Sequence, residues 1–323
     1  MVVGAGAVGS RAARQLAPWF DLVICDRRPE RAEAVAASLG SGAAVAADPA
    51  PSALAGASVV VIARPEATDI ARDALDAGAA VVSTADGVVD VRGLLALDGR
   101  ARSRGLPVVV GAGMAPGLTC VLAKYAAAGF SRVDEVHVAK SGTGGPACAR
   151  QHHAALSGES VDWRDGDWQR RRAGSGRELC WFPDPVCGRD CYRAEMADGV
   201  LLVPAFPGVS RVTARLAATR RDRLTSALPM LRAPHPEGQV GAVRVEVRGR
   251  GDRGNGVEVL GVIDRPAVAA GAVAAVAAQW ATSGRLTRSG AGGLAELVGD
   301  ARPFLAELAR RGVKAAVFAG VGS

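Results

Sequence analysis

Two hydrophobic patterns alternate through the first part of the chain. Short unbroken apolar runs are typical of buried parallel strands, and the longer stretches between them carry apolar residues at helical spacing. The predicted strands are Met1–Val3, Asp21–Asp26, Ala43–Ala47, Ser58–Ala63, Ala79–Ser83 and Pro107–Val110. The predicted helices include Ser10–Leu16, Pro29–Leu39, Glu66–Ala77 and Val91–Arg104. This alternation predicts an α/β fold built on a doubly wound parallel sheet.

A different pattern begins near Val133 and predicts a second, α+β domain over about Phe130–Ile263 with a mixed or antiparallel sheet. Strands are expected at Val133–Lys140, Glu178–Phe182 and Gly199–Val203, a helix at Ala147–Leu156, and a hairpin at Val161–Trp168 around Asp165-Gly166. Ala242–Arg248 and Val257–Ile263 are predicted to pair across a turn at Gly249–Gly256, with one solvated face. Further helices are expected at Pro266–Ala281, Gly292–Val298 and Pro303–Arg311.

A glycine motif stands between the first strand and the first helix. Gly4, Gly6 and Gly9 form G-x-G-x-x-G, and Asp26 ends the second strand twenty residues after Gly6. In a strand–turn–helix context this spacing predicts dinucleotide binding. The glycines allow a tight turn and a close approach of the pyrophosphate, which the helix N-terminus attracts. The Asp26 carboxylate is then expected to hold a ribose hydroxyl, which favours NAD over NADP.

Other candidate cofactor residues follow later strands of the same sheet. Because ligands of such sheets lie at the carboxyl ends of the strands, the ends of successive strands are expected to line one crevice. The predicted cofactor-binding residues are Gly4, Gly6, Ala7, Val8, Gly9, Asp26, Arg27, Ala63, Arg64, Pro65, Ser83, Thr84, Gly113 and Met114. They predict a Rossmann domain with NAD or NADP as its cofactor.

Composition narrows the class of partner. The net charge is +7, but the basic residues are spread along the chain, which favours small anionic ligands over nucleic acid. Pro266–Ala281 is too short for a comfortable membrane span, and the chain opens directly into the nucleotide motif without a secretory signal. We therefore expect a cytoplasmic protein with reduced cysteines. The spacings C-x6-C and C-x3-C lack the usual zinc knuckle, so no metal is expected.

Five segments together resemble the saccharopine dehydrogenase (saccharopine reductase) family. They are Val2–Gly9, Ala63–Pro65, Gly113–Leu118, Phe182–Val186 with Gly188 and Tyr192, and Ala242–Gly249 with the helix that follows. Two positions depart from the family pattern. Ala115 stands where the family has an acid, and Asp26 stands where NADP-dependent members carry arginine. Arg27 and Arg28 nevertheless offer charges that could meet a 2′-phosphate.

The resemblance implies that different segments of the chain form domains with different functions. It implies a dinucleotide-binding Rossmann domain over residues 1–129, a substrate and dimerisation domain over 130–263, and a helical segment, 264–323, that returns to the Rossmann domain. Members of the family use NAD(P) to oxidise or reduce a C–N bond of an amino-acid adduct. An anionic, amino-acid-like substrate is therefore expected. A homodimer is expected for a separate reason: the predicted pair of Ala242–Arg248 with Val257–Ile263 has one apolar face and a potentially exposed edge that needs cover.

Hydride transfer usually needs a proton donor or acceptor, and three residues of the second domain are candidates. They are His152, Lys140 and Tyr192, each weighed against a structural role as a satisfied histidine, a surface lysine or a packed tyrosine. His153 points about 100° away from His152 on a helix, so at most one of them faces a site. Arg170–Arg172 and Arg220–Arg223 are candidates for holding a substrate carboxylate.

The sequence leaves the reaction open. The prediction is an NAD(P)-dependent oxidoreductase acting on a C–N bond. One alternative is a reductase acting on a C=C or C=O bond, because the fold does not determine the reaction. The other alternative is a non-catalytic dinucleotide sensor, which would lack a proton donor.

Overall fold

The computed structural model describes residues 1–40, 43–46, 49, 51–230, 233–252, 254–313 and 315–317. It divides into two compact units. The first consists of Met1–Leu118 and Ala267–Gly299, and the second of Thr119–Pro266 and Asp300–Ser323. Parts of three predicted segments lie outside the described residues: Ala47 of the third strand, Arg253 of the Gly249–Gly256 turn, and the end of the C-terminal segment.

Strands and helices alternate from the start of the chain. The elements up to the first unit boundary are β1 (Val2–Val3), α1 (Ala7–Leu16), β2 (Leu22–Cys25), α2 (Pro29–Leu39), β3 (Ala43–Ala46), α3 (Pro51–Leu54), β4 (Val59–Ile62), α4 (Ala67–Asp76), β5 (Ala80–Ser83), α5 (Val88–Leu95), α6 (Asp98–Ser103), β6 (Pro107–Val110) and α7 (Leu118–Ala127). The predicted strands and most predicted helices are therefore present, with ends that differ by a few residues.

The remaining elements include most of the second unit. They are β7 (Arg132–Ser141), α8 (Pro146–Ala154), β8 (Glu159–Arg164), β9 (Asp167–Arg172), β10 (Glu178–Trp181), β11 (Gly188–Arg193), α9 (Asp198–Leu202), β12 (Arg211–Ala217), α10 (Arg220–Thr225), β13 (Gly241–Gly251), β14 (Gly254–Asp264), α11 (Pro266–Thr282), β15 (Gly290–Gly293), α12 (Leu294–Leu297), α13 (Ala301–Arg310) and β16 (Ala315–Val317).

The first unit is a parallel sheet in the order β15-β6-β5-β4-β1-β2-β3. The order in which strands are added reverses between β1 and β4, because β2 and β3 lie on one side of β1 and β4 lies on the other. Such sheets bind ligands at this switch point. β4 and β5 are buried along their whole length, as their apolar sequences predict. The doubly wound parallel sheet predicted from the sequence is confirmed.

Helix α11 is apolar around most of its circumference, and most of its residues are buried, as expected for such a helix. Its small side chains allow a close approach to α1. A Cβ atom added at Gly271 would lie 2.7 Å from the Cβ of Arg11 and 2.9 Å from the backbone nitrogen of Ala12. A larger residue at position 271 would therefore force α11 away from α1.

Two predictions for the first unit are wrong. The single helix predicted at Val91–Arg104 is two helices, α5 and α6, because Asp98 and Gly99 favour a new first turn over a helix interior. The helix predicted at Gly292–Val298 begins only at Leu294, because Gly290–Gly293 pairs with β6 as the seventh strand of the sheet in the described residues. A glycine-rich run has little strand propensity, so this pairing depends on tertiary context.

The second unit contains a mixed sheet in the order β10-β11-β12-β7-β13-β14-β16, with the β8–β9 hairpin attached to β12. Only the β12–β7 pair is parallel among the described pairs. The predicted hairpin is confirmed, and Asp165 and Gly166 both adopt the positive φ angles of its turn. The β13–β14 pair has the predicted partners, from Ala242 with Ile263 to Arg248 with Val257.

The second unit differs from the sequence analysis in three features. The strand predicted at Gly199–Val203 is the buried helix α9, since five consecutive buried residues fit a helix enclosed on all sides. β11 and β12 were not predicted, because charged residues interrupt their apolar positions. The predicted wet face of β13 carries Glu246, which is only 7% exposed between Arg244 and Arg248.

The pairing of β13 also changes the expected edge of the sheet. β13 is flanked by β7 and β14, and β14 pairs in turn with β16 through Leu260–Val262. The β13–β14 pair therefore has neighbours on both sides over this stretch. Among the described residues, no helix is both long and apolar enough to cross a membrane.

Candidate dinucleotide loop and acid–base cluster

The loop between β1 and α1 requires glycine at two of its three motif positions. Gly4 has φ +100°, and a Cβ atom there would lie 2.7 Å from the carbonyl oxygen of Ala63. A Cβ atom at Gly9 would lie 1.7 Å from the carbonyl oxygen of Gly4. At Gly6 an added Cβ atom meets no protein atom within 4 Å. The fold therefore needs Gly4 and Gly9, whereas Gly6 leaves space beside the loop.

Helix α1 begins at this open position. Gly6 is its N-cap residue, makes no side-chain cap, and is followed by a first turn without acidic residues. The first backbone N–H groups of a helix have no partner within the helix, and the helix dipole places partial positive charge beside them. Ala7 and Val8, both partly exposed, belong to this turn. The loop therefore has the chemistry of a phosphate site.

Asp26 lies at the end of β2 and touches the same loop. One of its carboxylate oxygens accepts a hydrogen bond from the Ala5 N–H at 2.7 Å, and the other accepts from the Arg28 N–H at 2.9 Å. Arg27 is exposed next to it. These bonds fix the carboxylate at the carboxyl end of β2, beside the glycine loop, as the predicted ribose interaction requires.

The ends of β4 and β5 complete this edge of the sheet. The Ala63 N–H donates to the carbonyl oxygen of Val3 at 2.8 Å, so Ala63, Arg64 and Pro65 leave the sheet next to Gly4. Thr84 donates its N–H to the Ile62 carbonyl oxygen at 3.0 Å, and the buried Ser83 hydroxyl accepts from the Ala85 N–H at 3.2 Å. Both predicted groups of residues, Ala63–Pro65 and Ser83–Thr84, therefore lie at the expected strand ends.

The loop after β6 is buried throughout its length. Gly113 donates its N–H to the Pro116 carbonyl oxygen at 3.0 Å and accepts from the Leu118 N–H at 2.9 Å. Met114 is 3% exposed, and the Ala115–Pro116 peptide bond is cis. Gly113 and Met114 are thus at the predicted sheet edge, but the Met114 side chain is packed in the interior.

A lysine, a histidine and a cysteine meet within the second unit. Lys140, on β7, is only 3% exposed, and its Nζ lies 3.0 Å from Nε2 of His152 on α8. The same imidazole nitrogen is 3.5 Å from Sγ of Cys148, one helical turn earlier. Lys140 is therefore a buried residue rather than a surface lysine. Lys140 and His152 form a pair able to exchange a proton.

His153 has a different environment from its neighbour. Its Nε2 donates to the carbonyl oxygens of Thr225 at 2.8 Å and Leu228 at 3.2 Å. These bonds connect α8 to the end of α10. The structure therefore turns His152 towards Lys140 and gives His153 a structural role, as the 100° separation on a helix allows.

Tyr192 is a buried tyrosine of the second unit. Its side chain is 1% exposed and packs in a cluster that includes Ala194, Met196 and Leu216. The Arg223 guanidinium lies 4.2 Å from the centre of its ring. These contacts agree with the packing role that is the alternative to a proton-donor role for this tyrosine.

The arginine clusters also have local partners. Arg223 donates to the Gly174 carbonyl oxygen at 2.7 Å, and Arg170 pairs with Glu159 at 3.0 Å on an exposed surface. Arg171 donates to the Arg170 carbonyl oxygen. These contacts give Arg170, Arg171 and Arg223 local structural roles.

A polar network on the other face of β7 was not found from the sequence. Nδ1 of His137 lies 2.8 Å from the Thr213 hydroxyl, and its Nε2 lies 2.8 Å from the Glu135 carboxylate. Burial lowers the pKa of His137, although Glu135 opposes this effect. Glu135 and His137 alternate along one strand, but their contact with Thr213 depends on the β7–β12 pairing, which the sequence did not predict.

None of the six cysteines, all within the described residues, forms a disulfide. Cys180 and Cys191 lie on adjacent strands in a buried cluster with Phe182 and Val186. Their mutual hydrogen bond and burial raise the pKa of the Cys191 thiol. Cys187 is exposed and donates to the Asp184 carboxylate at 3.0 Å, which raises the pKa of its thiol.

Comparison with known proteins supports the fold. No protein-family model matches the chain, and no curated protein sequence matches it. The chain is similar to the structure of apo histidine-tagged saccharopine dehydrogenase (L-Glu forming) from Saccharomyces cerevisiae, with a TM-score of 0.70 at 15% identity over 98% of this chain and 99% of that chain. It is also similar to amine dehydrogenase from Mycobacterium smegmatis, with a TM-score of 0.54 at 14% identity over 93% and 96% of the two chains. The resemblance inferred from the five segments is confirmed at the level of the fold.

Proposed function

We propose that the chain is an NAD(P)-dependent oxidoreductase that transfers hydride at a C–N bond of an anionic, amino-acid-derived substrate. The observation that carries the proposal is the glycine loop, where Gly4 and Gly9 meet protein atoms and Gly6 alone faces open space. Together with the first turn of α1 and the Asp26 carboxylate, this arrangement fits a dinucleotide. The two structural neighbours, both dehydrogenases by name, agree with it.

A bound nicotinamide dinucleotide would supply the hydride exchange. The backbone of Gly6, Ala7 and Val8 would hold its pyrophosphate, and Asp26 would accept a hydrogen bond from its ribose. A carboxylate at this position repels a 2′-phosphate, so we propose that NAD is preferred to NADP. Arg27 is the residue that would oppose this preference.

Oxidation of an amine to an imine releases a proton from nitrogen as hydride leaves the neighbouring carbon. Lys140 and His152 are the residues we assign to that proton, because Nζ and Nε2 lie 3.0 Å apart and Lys140 is buried. A non-catalytic sensor has no need for such a pair. Reduction of a C=C or C=O bond could use the same residues, so turnover assays must distinguish the bond that reacts.

Cofactor titration tests the first step of the proposal. We expect NADH to bind more tightly than NADPH when protein fluorescence is followed, and Asp26→Ala to reduce this preference by removing both the ribose acceptor and the repulsion. Turnover of NAD⁺ is then screened with amino acids and their amine adducts, and turnover of NADH with keto acids plus ammonia or an amine. A preference for NADPH in the unmodified chain would show that Arg27 and Arg28 outweigh Asp26.

Two further properties belong to the proposal. The net charge of +7 is consistent with an anionic substrate. We also propose that the protein is cytoplasmic, with its six cysteines reduced.

A further inference from the structure

We propose that Cys180 and Cys191 form a binding site for a soft monovalent metal ion, copper(I), which both sulfurs hold in two-coordinate geometry. The site lies on the β10–β11 pair of the second unit. Neither Lys140 nor His152 belongs to it, and no residue of the glycine loop does. The inference therefore does not depend on the proposed function.

The strand register brings the two cysteines together. Cys180 pairs with Arg189 and Cys191 pairs with Glu178, so the thiols are diagonal neighbours on one face of adjacent strands. The two thiols share a hydrogen bond. Diagonal neighbours lie about 7–8 Å apart, which is at or beyond the limit of about 7 Å between the Cα atoms of a disulfide. An ion bridges a wider gap, because two metal–sulfur bonds of about 2.3 Å join sulfurs up to about 4.6 Å apart.

The surroundings of the pair suit a soft ion. Both thiols are buried in an apolar cluster with Phe182 and Val186, and the small side chains of Ala139, Ala217 and Ala242 pack in the same cluster. The side chains of this cluster offer no oxygen ligand. Hard cations such as Mg²⁺ and Ca²⁺ require oxygen ligands, whereas thiolate sulfur selects soft ions such as copper(I).

The number of ligands separates copper(I) from zinc. A structural zinc ion takes four ligands, and the missing zinc knuckle in the sequence excludes a site of that kind. Within the part of the chain that the structure describes, no third Cys, His, Asp or Glu joins Cys180 and Cys191 in a group close enough to share one ion. Two sulfurs alone therefore favour an ion that is stable with two ligands.

A buried arginine beside the pair carries an unused hydrogen-bond donor. The Arg215 side chain is 5% exposed, and its Nη1 and Nη2 donate to the Asp162 carboxylate at 2.8 and 3.0 Å. Its Nε has no hydrogen-bond partner among the described residues, since the Glu178 carboxylate is 3.6 Å away. Arg215 and Arg244 both favour negative charge on the Cys180 sulfur. A buried N–H without a partner costs free energy, so a thiolate held by an ion beside Arg215 would gain a donor.

Binding exchanges protons for the ion. Copper(I) replaces the two thiol protons, which pass to water, and no electron is transferred. The resulting bis-thiolate complex carries one negative charge, which Arg215 and Arg244 favour and which Glu178 and Asp190 oppose. Because these carboxylates and burial oppose thiolates, the charge of the ion itself must displace the protons, and the affinity should fall as the pH falls.

Competition with bicinchoninate tests the proposal. The reduced protein is titrated anaerobically into the coloured copper(I)–bicinchoninate complex with ascorbate present, and the loss of colour measures the copper transferred. We expect one equivalent per chain, and Cys180→Ala and Cys191→Ala should each abolish this transfer. Copper(I) should also raise the thermal midpoint of the unmodified chain but not of these variants, because an ion that binds the native state stabilises it.

Cys187→Ala is the matched control, because Cys187 is exposed in the turn of the same hairpin and bonds to Asp184 instead of the pair. It should still take up one equivalent. Arg215→Lys keeps a positive charge beside Asp162 but removes Nε, and it should weaken copper binding about tenfold.

Three results would overturn the proposal. They are no transfer to the unmodified chain, full transfer to Cys180→Ala or Cys191→Ala, and loss of transfer in Cys187→Ala. Thermal unfolding of the copper-free variants shows whether they are folded. Transfer to the unmodified chain and to Cys187→Ala, but not to folded Cys180→Ala or Cys191→Ala, would establish the site even if the chain binds no dinucleotide.

Discussion

Lys140 and His152 show how position in a fold changes the chemistry of ordinary side chains. Lys140 is 3% exposed on a central strand, and its contact with His152 joins two residues twelve positions apart. His152 and His153 are adjacent in sequence, yet one meets an amine and the other meets backbone carbonyls. The two histidines therefore form a natural pair for comparison, since the same substitution removes an acid–base group at one position and an anchor at the other.

We predict that His152→Ala lowers kcat at least tenfold, because loss of a general acid or base typically costs about 10²–10⁴-fold in rate. The Kd for the dinucleotide should change little, since the predicted cofactor residues belong to the other unit. Steady-state kinetics and a fluorescence titration measure the two effects separately.

His153→Ala is the matched control for that experiment. It should reduce thermal stability, because the carbonyl groups of Thr225 and Leu228 lose their donor, while kcat falls less than in His152→Ala. If His153→Ala has the larger effect on kcat, the assignment of the proton to His152 is wrong. If both variants retain full turnover, Lys140 becomes the residue to test.

His137 should make stability dependent on pH. Burial lowers its pKa, so the native state binds a proton less readily than the unfolded chain does. This contribution to the free energy of unfolding is complete above the ordinary histidine pKa of about 6.5 and is lost as the pH falls from there towards the lowered native value. Urea unfolding at pH 7.5 and at lower pH values should show a smaller loss in His137→Asn than in the unmodified chain.

The matched control for this experiment is His235→Asn, which removes an exposed imidazole. A His137→Asn variant with the same pH dependence as the unmodified chain would show that carboxylates elsewhere account for acid sensitivity.

The polar environment of His137 could not be predicted from the sequence, because its neighbours Thr213 and Glu246 come from strands far apart in the chain. A pattern within one strand cannot reveal such partners.

The β1–α1 segment shows which elements the sequence predicts well. Its glycine spacing, first strand and first helix could all be inferred, because Gly4 and Gly9 meet local backbone requirements and the flanking apolar residues are strongly patterned. By contrast, β15 depends on pairing with β6, 180 or so residues away, and its glycine-rich sequence has no strand signal of its own. Tertiary pairing, rather than propensity, made that element a strand.

Two glycine substitutions in this segment should separate binding from folding. Gly6→Val should fold, because an added Cβ meets no protein atom, but should abolish dinucleotide binding by filling the space beside the loop. Gly9→Val should lower the free energy of unfolding by about 2 kcal/mol or more, because its Cβ would overlap the Gly4 carbonyl oxygen. Thermal unfolding and NADH titration measure the two outcomes.

Gly99→Val in α6 is the control, because an added Cβ there also meets nothing within 4 Å and the helix lies away from the glycine loop in sequence. It should bind NADH normally. Normal NADH binding by Gly6→Val would show that the ligand does not approach this position, and the proposed cofactor site would be wrong.

At the scale of the whole molecule, the fold class was predictable, whereas the arrangement of the candidate acid–base residues was predictable only in part. The parallel sheet could be predicted because strand and helix patterns alternate repeatedly, and many residues contribute independently to that alternation. The burial of Tyr192 could not be predicted, because the residues that pack around it come from separate strands. Lys140 and His152 were proposed separately, whereas their contact depends on α8 packing against β7.

Assembly is the last property to follow from the sheet of the second unit. Glu135, Arg248 and Val257 occupy paired positions on β7, β13 and β14 and therefore share one face. That face carries both signs of charge and includes Val257, which is 56% exposed. A second copy of the chain can meet such a face with opposite charges, so we expect a homodimer formed through it rather than through a strand edge.

Light scattering at micromolar concentration should therefore give twice the 32.8 kDa mass of the chain. Val257→Arg should shift the mass towards that of the monomer. A dimer would bring the two added positive charges together near the two-fold axis and remove them from water, and both effects cost free energy. Val89→Arg is the matched control, since Val89 is 81% exposed on α5 of the other unit, and it should leave the dimer intact. A monomeric mass for the unmodified chain would refute the homodimer, and a dimer that resists Val257→Arg would place the interface on another surface.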